Sequence, residues 1–376
     1  MDRRSFLLGT GALTLSQLVA ACGRPNQATL QVQVLKSSIP AQLVNKFRHS
    51  LEQDAELKDA ELKFTPVEQL DDLFTQLQAW KKQQNVKSNP RSTTIVTLGD
   101  YWLASAIKQK FIQPLDPAHL GHWSHLPEQW QQLVRRNSLG DLDAQAKEVW
   151  AAPYSWGTTV IAYNRDKFKS LGWTPRDWSD LWRKEVRGRI SLLDQPREVI
   201  GLTLKQLSQS YNSENFENSV LETELGALHR QVKFYSSETY LQPLILGDTW
   251  LAVGWSTDVL PVIQRYQQIS AVIPQSGTAL WANLWVLPTG ANHVSLGNKW
   301  IDFCWDKQTA QQISLLSQAT SPIPVTLNPD NIQEELRSLL LPDPEIIQRS
   351  DFLLPLPVAT LKQYESLWKA MRQGRY

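Results

Sequence analysis

The chain has 376 residues, with 38 basic against 37 acidic, so it lacks the basic footprint that nucleic-acid binding requires. That length suits two domains or lobes rather than one, and a hydrophobic content of 42% supports a large core. Cys22 and Cys304 are the only cysteines, which excludes a disulfide framework. Sixteen tryptophans supply both core filler and strong aromatic faces for a cation.

The amino terminus reads as an address. Arg3 and Arg4 precede an apolar run over 6–21 that is too short to span a bilayer comfortably. The run Arg-Arg-Ser-Phe-Leu resembles a twin-arginine export signal, and Val19-Ala20-Ala21-Cys22 resembles a bacterial lipobox. These resemblances imply a signal over 1–22, lipid on Cys22 and a polar tether over 23–28. An ordinary cleaved signal with an unmodified cysteine is the plainer alternative.

Beyond the tether, Leu30, Val32 and Val34 alternate with polar residues, which predicts a strand over 29–36. Leu43, Val44, Phe47 and Leu51 then predict a helix over 40–53, and Leu70, Leu73, Phe74, Leu77 and Trp80 another over 69–82. A β-branched run over 93–98 leads through Gly99-Asp100 into a predicted helix over 101–110, the pattern of a parallel βα unit. Gly99 to Tyr101 would then lie at the carboxyl edge of a sheet, where such folds bind ligands.

After Pro153 the alternation resumes. It predicts strands over 160–163, 190–193, 250–254, 270–273 and 284–287, helices over 178–184 and 201–210, and one amphipathic stretch over 296–316. No tandem repeat and no low-complexity tract interrupts it.

The segment beginning Ala151-Ala152-Pro153-Tyr154-Ser155-Trp156-Gly157-Thr158-Thr159 pairs a residue of fixed torsion, Pro153, with a permissive one, Gly157, which suits a hinge strand. It resembles the segment by which the spermidine/putrescine-binding proteins of polyamine importers cross between lobes. Three further stretches match in the same order, at 101–116, 188–201 and 272–288, so the likeness covers most of 93–324.

The resemblance implies a type II periplasmic binding protein. It is an α/β fold of two lobes, each a mostly parallel sheet flanked by helices, with a hinge at Pro153, Tyr154, Trp156, Gly157 and Thr158. The first lobe is expected over 29–153 with a return over 277–321, and the second over 154–276 with carboxyl-terminal helices over 322–376. The implied role is the solute-binding component of an ABC importer, in the periplasm or on the outer face of the cytoplasmic membrane. Its partners would be a small polyamine-like ligand, a permease with its ATPase, and a membrane reached through the lipid anchor, with no cofactor.

By position, the family pattern makes Glu198 a ligand carboxylate, Tyr101 a pocket tyrosine, and Trp255 and Trp281 the pair that sandwiches the ligand. A polyamine needs this mixture of carboxylates for its ammonium groups and aromatic faces for its methylenes. This chain departs at Gln195 and Asn283, where the pattern has carboxylates. It also lacks a tyrosine near Ala319 and an aromatic pair around 36–39. Asp100, Asp194 and Asp258 are the carboxylates available to restore charge, although aspartate also favours turns and caps. The same fold holding a non-polyamine polar solute therefore stays open.

Neither catalysis nor metal binding finds support. The chain contains no Gly-x-Ser-x-Gly, His-Glu-x-x-His, Gly-x-x-x-x-Gly-Lys or Gly-x-Gly-x-x-Gly. A lipid-anchored enzyme using Glu198 with Asp194 is the alternative of a different class. His119, His122 and His125 are closely spaced, but Gly121 and Pro127 mark a surface loop rather than a metal site.

Overall fold

The computed structural model describes residues 28–83, 94–214, 217–317, 319–328, 330 and 332–376. Arg3, Arg4 and Cys22 lie outside the described residues.

Among the described residues eleven strands occur in chain order, β1 Thr29–Leu35, β2 Glu61–Val67, β3 Ile95–Gly99, β4 Ile112–Gln113, β5 Ala152–Asn164, β6 Ile190–Leu192, β7 Val232–Tyr235, β8 Leu251–Trp255, β9 Ile269–Val272, β10 Ala279–Pro288 and β11 Asp351–Phe352. Their spatial order is β2-β1-β3-β10-β5-β8-β6-β7, with β4 and β11 beside β10 and β9 beside β5. Pairing is parallel among β1, β2 and β3, among β6, β7 and β8 and between β10 and β11, and antiparallel where β5 and β10 meet each other and their remaining neighbours. The outer strands thus follow βα logic, while the central ones are long strands that run from one half of the molecule into the other.

The strand β5 explains this division. All of its residues except Tyr163 are buried, as in a strand covered on both faces. Its first half pairs with β10, from Ala152↔Trp285 to Thr158↔Leu280. Its second half pairs with β8 and β9, from Thr159↔Trp255 to Asn164↔Ile269. The apolar cores divide at the same place. Tyr154 and Trp156 belong to a core with Leu30, Leu98, Trp285 and Trp300, whereas Ile161 and Val160 belong to two others built from later residues.

Further chain crossings brace the hinge strand. Trp156 exchanges backbone hydrogen bonds with Thr320 at 2.8 and 3.1 Å, and its indole Nε1 donates to the Ser321 carbonyl at 3.0 Å. Ile323 still packs in the first core, while Leu327 packs in another. The last helix, Val358–Arg372, sends Tyr364, Leu367 and Met371 into the core that holds Ile161.

Several local expectations are corrected. The stretch over 296–316 is two helices, Val294–Trp305 and Lys307–Ser317, because Asp306 leaves the helical path and its carboxylate accepts the Gln308 and Thr309 amides at 3.1 and 3.0 Å. The helix expected over 178–184 is a pair of tight 3-10 turns, Trp178–Trp182 and Lys184–Val186, opened by a reciprocal Asp177/Asp180 capping box. Beyond the strand expected over 250–254, Ser256-Thr257-Asp258 form the first turn of the helix Ser256–Arg265, so Asp258 stands in a helix rather than in a turn.

Asp306→Ala removes the cap of the second helix and is expected to destabilise the protein by about 1 kcal/mol, read as a lower urea midpoint at unchanged slope. An unshifted midpoint would show that Asp306 is not what starts that helix.

Candidate functional site

Alternate residues of a strand share a face, so Ser155, Gly157 and Thr159 of β5 point the same way. Each meets a different partner. Ser155 Oγ accepts the amide of Asn283 at 3.2 Å, Gly157 lies opposite Trp281, and Thr159 Oγ1 donates to both oxygens of Glu198 at 3.1 Å. Gly157 is required there. A Cβ would stand 2.2 Å from the Trp281 ring and 2.6 Å from Ser256 Oγ, so the indole lies directly on the backbone.

Glu198 sits in the first turn of the helix Pro196–Gln206 and is 5% exposed. Besides Thr159, its carboxylate accepts Trp255 Nε1 at 3.3 Å. Burial pushes its pKa up to about 7, against the opposing pull of these donors and of Arg197. Trp255 is held from behind by Tyr240, whose hydroxyl accepts the Trp255 amide and donates to Asp258 Oδ2, both at 3.0 Å. Gly254 makes room for this arrangement, since a Cβ would fall 1.8 Å from the Tyr240 ring.

Across the hinge, β10 pairs Asn283 with Gly99, at the end of β3. Asp100 follows, 6% exposed, and its Oδ1 accepts the Ala282 amide at 2.9 Å. Burial raises its pKa to about 7 as well, opposed by that bond and by Arg136. Arg136 is 1% exposed and anchored to the carbonyls of Leu133 and Gly140; burial lowers its pKa to about 10. Two buried polar atoms facing this region lack a protein partner, Trp281 Nε1 and Asn283 Oδ1.

The structure brings together Glu198, Trp255 and Asp258 on one side of the hinge, with Trp281, Asn283, Asp100 and Tyr101 on the other. Tyr101 is 46% exposed, its ring 4.3 Å from that of Trp102. Gln195 is exposed ahead of the Glu198 helix and makes no side-chain cap. Asp194 is taken up at the surface by Arg372 at 2.7 Å. Of the hinge residues, Pro153 accepts Trp305 Nε1 at its carbonyl, Tyr154 stacks on Trp285 at 4.0 Å, and the Thr158 amide donates to Ser256 Oγ at 3.2 Å.

Sequence reasoning missed Ser155, Thr159, Tyr240, Arg136 and Arg197. The period-2 face of the hinge segment was a usable signal for the first two, whereas nothing local marks Tyr240 or Arg136. The histidines lie on surface turns, where the His122 amide donates to Asp302 at 2.7 Å. Among the described residues no group of three or more His, Cys, Asp and Glu is arranged to hold a metal ion.

A family model described as bacterial extracellular solute-binding protein matches residues 94–346. The putrescine/cadaverine-binding protein of Pseudomonas aeruginosa is 26% identical over 248 residues, covering 62% of this chain and 69% of its own length. The spermidine/putrescine-binding periplasmic protein of Escherichia coli is 24% identical over 376 residues, covering 98% of each chain. Among solved structures, the spermidine/putrescine ABC transporter substrate-binding protein PotD from Streptococcus pneumoniae aligns with a TM-score of 0.77 at 18% identity, over 93% of this chain and 100% of that one. That structural likeness is one of fold: a mixed α/β protein of two lobes, with its sheets flanked by helices.

Gly157→Ala is expected to force the Trp281 indole off the strand and to destabilise the protein by about 1–3 kcal/mol, the scale of overpacking. Urea unfolding followed by tryptophan fluorescence reads it, and an unchanged midpoint would show that the ring moves aside freely.

Proposed function

Because this chain belongs to the bacterial extracellular solute-binding proteins, we propose that its solute is a small amine held between the lobes. The observation that carries this reading is Glu198, a buried carboxylate fixed by Thr159 and Trp255 next to the hinge strand on which Trp281 lies. A carboxylate in this setting gains most from a cation that brings its own N–H donors, and indole faces add cation–π attraction of ~0.5–2 kcal/mol each. Relatives named for binding putrescine, cadaverine and spermidine support the ligand class.

In this reading the site residues are Glu198, Trp255, Trp281, Asn283, Asp100 and Tyr101, with Asp258 acting through Tyr240 and Gln195 at the exposed edge. The lobes are 29–153 with 277–321, and 154–276 with 322–376, joined at Pro153, Tyr154, Trp156, Gly157 and Thr158. Closure around the amine gives an importer's permease and ATPase a shape to recognise. The protein binds its solute and performs no chemistry on it. Export by the twin-arginine-like signal and lipid on Cys22 would hold it outside the cytoplasm, against the outer face of the membrane; a stable anchor takes more than one acyl chain.

The pH dependence has a definite sign. A carboxyl raised from 4.5 to about 7 in the folded protein is neutral below that value, and only its ionised form attracts an ammonium group. Amine affinity should therefore rise between pH 5.5 and 7.5, by up to about tenfold per unit for one group. The ligand-free protein should do the reverse, losing stability as pH rises from 4.5 through 7, because the folded state holds a proton that the unfolded chain releases. Glu198→Gln should weaken amine binding by roughly 10- to 150-fold and flatten the affinity profile, as read by titration calorimetry. Retained affinity with the slope intact would overturn the assignment.

A further inference from the structure

The end of the site opposite Glu198 sets uncharged Asn283 beside an Asp100 opposed by Arg136, and its unfilled hydrogen bonds describe the group that belongs there. Three carboxylates surround the site, Glu198, Asp100 and Asp258, and two buried guanidiniums stand behind them. Arg136 acts on Asp100 and Arg197 on Glu198. Both arginines are fixed by protein acceptors, Arg136 by the Leu133 carbonyl at 2.8 Å and Arg197 by Asn212 and the Leu354 carbonyl at 2.9 and 3.1 Å. Arg136 thus opposes Asp100 while Asn283 beside it is uncharged, so this end offers a second ammonium less than Glu198 offers the first.

The hydrogen-bond inventory agrees. Asn283 is 4% exposed and spends one amide group on Ser155, while its Oδ1 has no partner. Trp281 Nε1, two residues away on the same face of β10, is also buried without an acceptor. One acceptor and one donor, on residues two apart on the same face of β10, therefore stand unfilled. A buried polar group left unpaired costs ~1–3 kcal/mol, so a ligand that supplies both partners is selected over one that supplies neither or only one. A free ammonium donates and cannot accept, which leaves Trp281 Nε1 unsatisfied. An amide or hydroxyl does both, and it satisfies the Asn283 amide in either orientation.

Resting on the amine reading above, we infer that this protein prefers monoamines whose far end is a neutral amide or hydroxyl, an N-acylated diamine or an amino alcohol, over free diamines. Ser155 and Thr159, which mark the two ends, are four residues apart on β5, or about 13 Å between Cα atoms.

The test is titration calorimetry of the purified protein at pH 7.5 with putrescine, N-acetylputrescine and 4-aminobutan-1-ol. The acetylated amine or the amino alcohol should bind roughly tenfold or more tightly than putrescine. Asn283→Asp should reverse that order. Trp281→Phe, which keeps an aromatic ring and deletes the donor, should weaken the neutral-ended ligands by a larger factor than it weakens putrescine and so narrow the preference between them, and it supplies the answer if the aspartate variant does not fold. Putrescine binding more tightly in the wild type, with neither variant changing the order, would overturn this inference and leave the amine reading standing. No binding of any of the three, with Glu198→Gln indistinguishable from wild type, would overturn both.

Discussion

The contact on which the rest of the site depends is the seat of the Trp281 indole on the bare backbone of Gly157. Antiparallel pairing of β5 with β10 places these residues opposite one another, and the missing side chain lets the ring lie flat against the hinge strand. The residues on either side follow from that register. Two positions back along β5 is Ser155 with Asn283, and two positions forward is Thr159 with Glu198 and Trp255. A slip of one residue would turn all of these side chains to the opposite face. In the proposed reading the same strand carries the hinge, which couples the residues that bound the site to those that join the lobes.

A carboxylate as deeply buried as Glu198 is costly unless something compensates it. The protein supplies three hydrogen bonds from two neutral donors and a distant arginine, enough to hold the side chain in one orientation and too little to keep its pKa in the ordinary range. Asp100 is in the same condition, with one backbone donor and Arg136. Such incompletely neutralised carboxylates are what a cationic solute selects, since binding removes a penalty already present in the free protein.

Much of this was legible in the sequence, for identifiable reasons. The βα rhythm of the first hundred residues is local, set by apolar spacing in β1, β3 and the helices between them, and those elements appear close to where the pattern puts them. The proposed hinge segment was marked by Pro153 and Gly157, one torsion fixed and one permissive, and by its resemblance to a family segment. Where the reading failed, longer-range effects decided the outcome. The break at Asp306 needs a cap that the apolar pattern of 296–316 overrides on paper, and the tight turns at 178–186 depend on Trp178 reaching the carbonyl of Gly277, ninety-nine residues on. The site shows the same limit. Glu198, Trp255 and Trp281 were reached through resemblance, but Arg136, Arg197 and Tyr240 act through packing that no local spacing announces.

The central claim, that the solute is a cation displacing the proton of a buried carboxyl, has a direct signature in proton release. Calorimetric titration of the tightest-binding amine at pH 6.5, repeated in buffers of different ionisation enthalpy, measures the protons displaced per ligand bound. With the Glu198 pKa at about 7, most of the protein carries that proton before binding, so the account predicts release of a substantial fraction of a proton that falls in Glu198→Gln to whatever Asp100 contributes. Binding heats that are the same in every buffer would contradict it.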